Sequence, residues 1–479
     1  MRTRQRFIIR LTFLCILPWC LFNSISAGDW SQFRGMNGSG VVKTTDLPIQ
    51  FNTEKNLIWR IAAPRGHSSP VLTQNRIFLS GFKEKQLIVV CLDRANGDVL
   101  WQRDVPRKRS QPMHKDNSPA SPTPVTDGSN IYAFFSEFGL ISFGPKGQER
   151  WRLPLGPFNN PLGLGASPIL AEGKVLMLCD QENGSFLVAV DQEKGSVAWR
   201  VERPEFTRGY ATPVLYQSQE NKLQVLVSGS NQLTAYSVEN GREIWWVRGL
   251  AWQMKTTPVM NKDVLYVHGM SGGGGEGQQE QVDAFLDVLV EWDGDEDQRL
   301  SPEEITKMQV RWPFTRLDLD QSGFVEARDW RIYRARRSAQ NGVLGIRLGG
   351  QGDMTDTNLL WRYRKSLPNV PSPLLYEGIL YLLKEGGILT ALDASTGNVY
   401  KQARLKKALG NYYASPVAGD GKIFTLSHQG KLSVIQPGSD WKVLAVNDLG
   451  KECSATPAIA EGRLYIRTRD HLYCFGKQD

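Results

Sequence analysis

The chain has 479 residues, 41% of them hydrophobic and 22% charged, and 57 Lys and Arg face 49 Asp and Glu for a formal charge of +8. That length is enough for a large core and would ordinarily divide into about three domains. The basic excess is too mild to point to nucleic acid, and half of it sits in the first ten residues.

Residues 1–27 read as a signal peptide. Arg2, Arg4, Arg6 and Arg10 form the basic start, residues 11–22 the apolar core, and Ile25-Ser26-Ala27 the cleavage site. The apolar run is short for a bilayer and Pro18 interrupts it, so cleavage is expected rather than a retained anchor. Neither Cys15 nor Cys20 follows the small residues of a lipoprotein signal. The leader takes four arginines and no acid with it, which lowers +8 to +4. No later stretch is long and apolar enough to span a membrane. An exported protein of the periplasm or cell envelope, or a secreted one, is expected, and a monomer. Cys91, Cys179, Cys453 and Cys474 show no paired spacing, so buried small residues are expected, with a disulfide left open.

Eight stretches then read Ser or Thr, Pro, and a small or β-branched apolar residue. They begin at Ser69, Thr123, Ser167, Thr212, Thr257, Ser372, Ser415 and Thr456. Most lie about 41–54 residues apart, the period of a four-stranded propeller blade. Each start precedes an alternating strand, a third strand ending in an Asp-x-x-x-Gly turn (Asp93 to Gly97, Asp191 to Gly195, Asp393 to Gly397), and a fourth strand with an aromatic. The aromatics are Trp101, Trp151, Trp199, Trp245 and Trp361, with Tyr400 as a substitute, each expected to pack on the next blade. Residues 57–61 form a fourth strand with no predecessors, and the last repeat stops after its third, at 472–475. Pairing the two closes the ring and removes its open edges.

The gap between Thr257 and Ser372 is longer and holds an acidic insertion. Asp293, Asp295, Asp297 and Glu304 stand at positions 1, 3, 5 and 12 of a twelve-residue loop, and Asp318, Asp320, Ser322 and Asp329 repeat the plan. This resembles a pair of EF-hand calcium loops, in which alternate residues point inward to give a hard cation six or more oxygens. The resemblance implies backbone carbonyls from Arg299 and Phe324 at position 7. Leu300 and Val325 at position 8 suit a short strand pair between the loops. Val282, Phe285, Leu286, Leu289 and Val290 read as the buried side of an entering helix, and Trp330, Ile332 and Tyr333 begin an exiting one. Gln298 replaces the position-6 glycine, so a strained backbone is expected there, and Asp329 replaces the usual Glu. Weak sites, with dissociation constants of about 10⁻⁴–10⁻³ M, follow. Gly272 to Gly275 reads as a flexible linker, and Arg328, Arg331, Arg334, Arg336 and Arg337 as a solvated face balancing the acids.

The repeat pattern, with the opening Asp29-Trp30-Ser31-Gln32-Phe33-Arg34-Gly35 and Gly66-His67-Ser68-Ser69-Pro70, resembles the quinoprotein-like (PQQ-repeat) β-propellers. That superfamily includes quinone-dependent alcohol dehydrogenases and a propeller that assists outer-membrane barrel assembly. The resemblance implies an all-β, eight-bladed propeller over residues 28–271 and 342–479, with a small helical insertion, residues 272–341, in blade 5. The residues before each innermost strand converge on the channel mouth: His67, Asn117, Arg208, Tyr210, Lys255, Asn369, Asn411, Tyr412 and Glu452. The adjacent cysteine pair of quinoprotein alcohol dehydrogenases and a Cys-x-x-Cys-His haem site are missing, so pyrroloquinoline quinone is not expected and calcium is the expected cofactor. Three readings follow: a scaffold binding a protein, peptide or polysaccharide at a propeller face; a quinone-dependent alcohol or sugar dehydrogenase; and a cell-envelope assembly factor.

Overall fold

A computed structural model describes residues 30–478, so the expected signal peptide, residues 1–27, lies outside the described residues. Eight antiparallel sheets follow in chain order, one per Ser/Thr-Pro start, and form an eight-bladed β-propeller. Leu57–Ala62 pairs with His471–Gly476, with Leu57 opposite Phe475 and Ile61 opposite Leu472, so the two ends of the chain share the eighth blade. Among the described residues no helix is long and apolar enough to cross a membrane.

The repeated residues hold blade to blade at two radii. Near the axis, the Ser69 N–H donates to the Thr123 hydroxyl at 2.9 Å, Thr123 N–H to Ser167 at 3.0 Å and Ser167 N–H to Thr212 at 3.1 Å. The series continues from Thr257 to Ser372, Ser372 to Ser415 and Ser415 to Thr456, each at 3.0 Å. A buried amide needs an acceptor, and a hydroxyl one residue before a proline supplies it to the preceding blade.

Farther out, each tryptophan faces a small residue across its own sheet: Cys91 opposite Trp101, Ala189 opposite Trp199, Ala235 opposite Trp245 and Cys474 opposite Trp59. The indole then lies under the turn glycine of the next blade. A Cβ on Gly195, whose φ is +71°, would sit 2.5 Å from Trp151, and Gly97 and Gly147 stand likewise over Trp59 and Trp101. The indole N–H donates to a carbonyl of that same turn, from Trp151 to Gln192 at 3.0 Å and from Trp199 to Val238 at 3.0 Å. In blade 6 this position belongs to Lys401, which pairs with Ala391 and donates from Nζ to the Trp441 carbonyl at 2.8 Å. Tyr400, expected as the substitute, is 49% exposed and bonds Asp393 instead. Blade 5 lacks the short turn. There Gly352–Asp353 adds a parallel strand to the outer edge of blade 4, with Gly352 opposite Trp245.

The four cysteines are free and buried, and burial pushes the Cys91, Cys453 and Cys474 thiols up to about 12. The small-residue expectation holds.

The opening motif has a structural task that its sequence concealed. Residues 30–51 run across the end of the channel remote from the Ser/Thr-Pro starts. Trp30 accepts from Leu72 N–H in blade 1, Ser31 from Thr126 in blade 2, and Gly40 from Ala418 in blade 7. Asn37 bonds both backbone groups of Leu215 in blade 4. Arg34, with no exposure, donates to the Pro373 carbonyl at 2.7 Å, and burial lowers its pKa to about 9. The segment plugs the ring, and Phe33 reaches the lumen.

Two substitutions separate these contacts from surface decoration. Thr123→Val strands a buried amide and should cost about 1–3 kcal/mol, and Trp151→Ala about 3–5 kcal/mol. Tyr400→Ala should stay within about 0.5 kcal/mol. Urea unfolding of the three variants checks the order.

Candidate functional site

Blade 5 interrupts its second hairpin between Val264–Gly269 and Gly342–Arg347, and four helices lie between them. These are α1 (Phe285–Trp292), α2 (Pro302–Lys307), α3 (Phe314–Leu317) and α4 (Ala327–Ser338). They have their own core of Val288, Leu300, Ile305, Leu317, Val325, Trp330 and Tyr333. Val282, just before α1, and Phe285 and Leu289 on it pack as expected, but Leu286 and Val290 are 74% and 91% exposed, and Val288 takes the buried place. The helix is turned so that the indole of Trp330 can reach the Asp283 carbonyl at 3.0 Å.

Two acidic loops connect these helices, and their hydrogen bonds match position for position. The position-1 carboxylates each take two amides: Asp293 from Asp297 and Gln298, Asp318 from Ser322 and Gly323. The position-3 carboxylates each take one, Asp295 from Asp297 and Asp320 from Ser322. Glu304 takes the amides of Gly294 and Ser301, and Asp329, though one methylene shorter, takes the equivalent pair from Leu319 and Glu326. Each position-12 acid thereby caps the helix that follows its loop. Leu300 and Val325 exchange both backbone bonds, at 3.0 and 2.9 Å, and tie the loops back to back.

The loops concentrate negative charge. One oxygen each from Asp293, Asp295 and Asp297 lies within 4.8 Å of the others, and so do oxygens of Asp318, Asp320 and Asp329. Burial raises Asp329 to about 6, and desolvation followed by the Asp297 charge raises Asp295. Inside the loops Arg299 reaches Asp297 at 2.8 Å and lies over the Phe324 ring, and Arg328 approaches Asp329 at 3.9 Å. Ser322 donates to the Phe324 carbonyl at 3.2 Å. Gln298 has φ +65° where its counterpart Gly323 has +91°, so the expected strain is present.

The insertion is docked on the rim of the channel. Arg336, 3% exposed, and Arg208 both pair with the buried carboxylate of Glu182 from blade 3, and both guanidiniums lie over Trp252. Arg328 donates to the carbonyls of Pro204 and Glu182, Arg331 pairs with Glu205 at 2.7 Å, and Asn159 donates to Leu319. Arg334 and Arg337 hold the insertion's own leading segment at Val282 and Glu280. The basic run is therefore a seam and not a solvated face. Nor is the glycine stretch a loose tether: Asn341 bonds Ser271 through both side-chain atoms and donates from its amide to Gly274.

Beside the insertion opens the channel, a cavity of about 350 Å³. His67, Asn117, Tyr210, Lys255 and Asn369 line it as expected. Arg208 is drawn away to Glu182, and Tyr412 is buried with its hydroxyl on Ala408, so the next residue, Tyr413, faces the lumen. The Asn411 carbonyl binds His428, and Glu452 lines a neighbouring recess. His114, Asp116, Gln253, Ser454 and Phe33 were not foreseen. Lys255 donates to Asn369 at 2.6 Å, and burial lowers it to about 8; burial also lowers His67 to about 4.

The family model described as outer membrane protein assembly factor BamB matches residues 39–183, 183–298 and 350–479, more than half of the chain. No curated protein matches. Among solved structures, BamB from Moraxella catarrhalis is 12% identical with a TM-score of 0.54, over 88% of this chain and 98% of that one. A europium-containing methanol dehydrogenase is 10% identical with a TM-score of 0.59, over 94% and 98%. Sqt1 of Saccharomyces cerevisiae is 8% identical with a TM-score of 0.56, over 89% and 100%. At these identities the likeness is one of fold.

Glu182→Gln leaves the buried Arg336 and the half-buried Arg208 short of their counter-charge and should cost about 3–5 kcal/mol. Limited proteolysis should then cut first within residues 272–341. Arg331→Ala breaks an exposed pair and should cost no more than about 1 kcal/mol.

Proposed function

We propose that this chain, which belongs to the outer membrane protein assembly factor BamB family of β-propellers, is an exported binding scaffold that carries calcium in an EF-hand pair on the rim of its channel. The observation that carries the calcium reading is the matched pair of loops, each drawing three carboxylates together beside a capped helix. Six or more hard oxygens satisfy calcium, and these loops offer them. Asp293, Asp295, Asp297, Glu304 and the Arg299 carbonyl would hold one ion. Asp318, Asp320, Ser322, Asp329 and the Phe324 carbonyl would hold the other. The chemistry supplied is neutralisation of crowded carboxylates, which would stiffen the start of α4 and with it the seam to blade 3.

The scaffold reading rests on the channel lining. Among the described residues it holds no paired catalytic carboxylates, and the His428 Nδ1 that lies 3.5 Å from the Ser454 hydroxyl also faces the Cys453 carbonyl at 3.1 Å, while the polar side chains converge around a plugged lumen. Export is inferred from residues 1–27.

A quinone-dependent dehydrogenase is the second reading, favoured by the methanol dehydrogenase likeness alone. Pyrroloquinoline quinone carries three carboxylates close together on one rigid ring system, and among the described residues Lys255 is the one lysine or arginine lining the channel arm itself, the other cations standing apart in the adjoining recess. The donor set does not suit the group.

Titration calorimetry should find up to two calcium sites with dissociation constants of about 10⁻⁴–10⁻³ M. Asp293→Ala should remove the first and Asp318→Ala the second, and heat unchanged in the double variant would refute the assignment. With quinone and calcium added, dye reduction with alcohols or aldoses should stay at background; reduction that needs the quinone would establish the enzyme instead.

A further inference from the structure

The channel cavity does not end at its own walls. A recess of about 350 Å³ between blades 8 and 1 shares His67, Asp116, Asn117, Tyr413 and Ser454 with it, so the two are arms of one continuous mouth. Their chemistries differ. The recess is lined by Arg65, Lys115, Arg467 and Arg469 against Asp116 and Glu452, and Glu452 is already paired with Arg469 at 3.1 Å. Arg467 is 1% exposed, and its Nη atoms donate to carbonyls and to Ser68. Its Nε has no partner and no carboxylate pairs with it among the described residues. The recess therefore carries unbalanced positive charge.

The channel arm is ringed by the eight Ser/Thr hydroxyls of the blade starts, each no more than 3% exposed. Six of these oxygens already accept a neighbouring blade's amide, and among the described residues none donates its own hydrogen to an acceptor. A ring of hydroxyl donors with one ammonium, Lys255, favours a ligand rich in acceptor oxygens. Phe33 forms the floor, and Tyr210 and Tyr413 form parts of the wall. Aromatic faces suit the C–H faces of a pyranose, whereas a bare oxyanion makes no use of them. A peptide would look for a strand edge to extend, and ring closure leaves little such edge at the axis.

We infer that this mouth binds an acidic oligosaccharide, one sugar seated in the channel on the hydroxyl ring and Lys255, with the carboxylate of a following sugar in the basic recess. The assignment rests on the scaffold reading and names its ligand class. It does not depend on the calcium loops.

Calorimetry in the presence of a chelator, with trigalacturonate as the probe, tests it. Trigalacturonate should bind, and the neutral galactotriose of the same α-1,4 linkage should bind at least about tenfold more weakly, since it lacks the carboxylates that the recess would hold. Tetraglutamate and inorganic phosphate should also bind at least about tenfold more weakly. Lys255→Met, in the channel, and Arg469→Ser, on the exposed rim of the recess, should each weaken trigalacturonate about tenfold. The Arg469 variant should keep its melting temperature, so a misfolded Lys255 variant would leave the test intact. Asp293→Ala with Asp318→Ala should leave trigalacturonate affinity unchanged, which separates this inference from the calcium reading. No binding of trigalacturonate, equal binding of the neutral sugar, of tetraglutamate or of phosphate, or indifference to Arg469→Ser would each overturn it.

Discussion

The structure depends on buried backbone amides at the ring axis finding acceptors that their own blade does not provide. In every blade the innermost strand begins at a Ser/Thr-Pro step. The proline has no N–H to satisfy, and the residue before it is held extended. The one remaining amide there points sideways, and in six of the eight blades the next blade's hydroxyl accepts it. The tryptophan and turn glycine repeat the device at larger radius, where a flat indole needs a backbone without a Cβ above it. With spacing fixed at two radii, the blades differ little in position, and function is left to the loops above the ring.

Those loops divide the rim unequally. On blades 3 to 5 the insertion is clamped by Glu182, Arg208, Arg336 and Trp252. On the opposite side, blades 8 and 1 leave an open recess of basic residues. The floor is fixed by Phe33 and the plug behind it. An object entering the channel therefore meets a closed floor, a protein wall on one flank and a positively charged exit on the other.

Features that repeat along the chain were readable from it. The eight blade starts, the closing strand and the left-handed backbone at Gln298 are each visible in local pattern. What escaped reading depends on contacts between distant segments. The Trp30–Gly40 stretch has no periodicity, because it touches a different blade every few residues. The arginines of α4 look solvated until Glu182 and Glu205 arrive from blade 3. Lys401 satisfies the indole's hydrogen bond with an ammonium, and no search for aromatics would find it. The mouth residue Tyr413 was missed by one position, since Tyr412 turns inward to Ala408.

Sharing the eighth blade between the two ends has a cost in time. Leu57–Ala62 leaves the ribosome before every other strand of the ring, and its partner His471–Gly476 leaves after them. Until the partner arrives, seven blades hang as an open arc with one strand edge waiting. The entropic cost of closing a loop of that length grows only logarithmically, but long-range strand pairing is intrinsically slow and here it comes last. A chain of this topology is most vulnerable to proteases and to its own copies during that interval. Its survival as a new chain is therefore governed less by the stability of the finished ring than by how long the arc is shielded before the last strand docks.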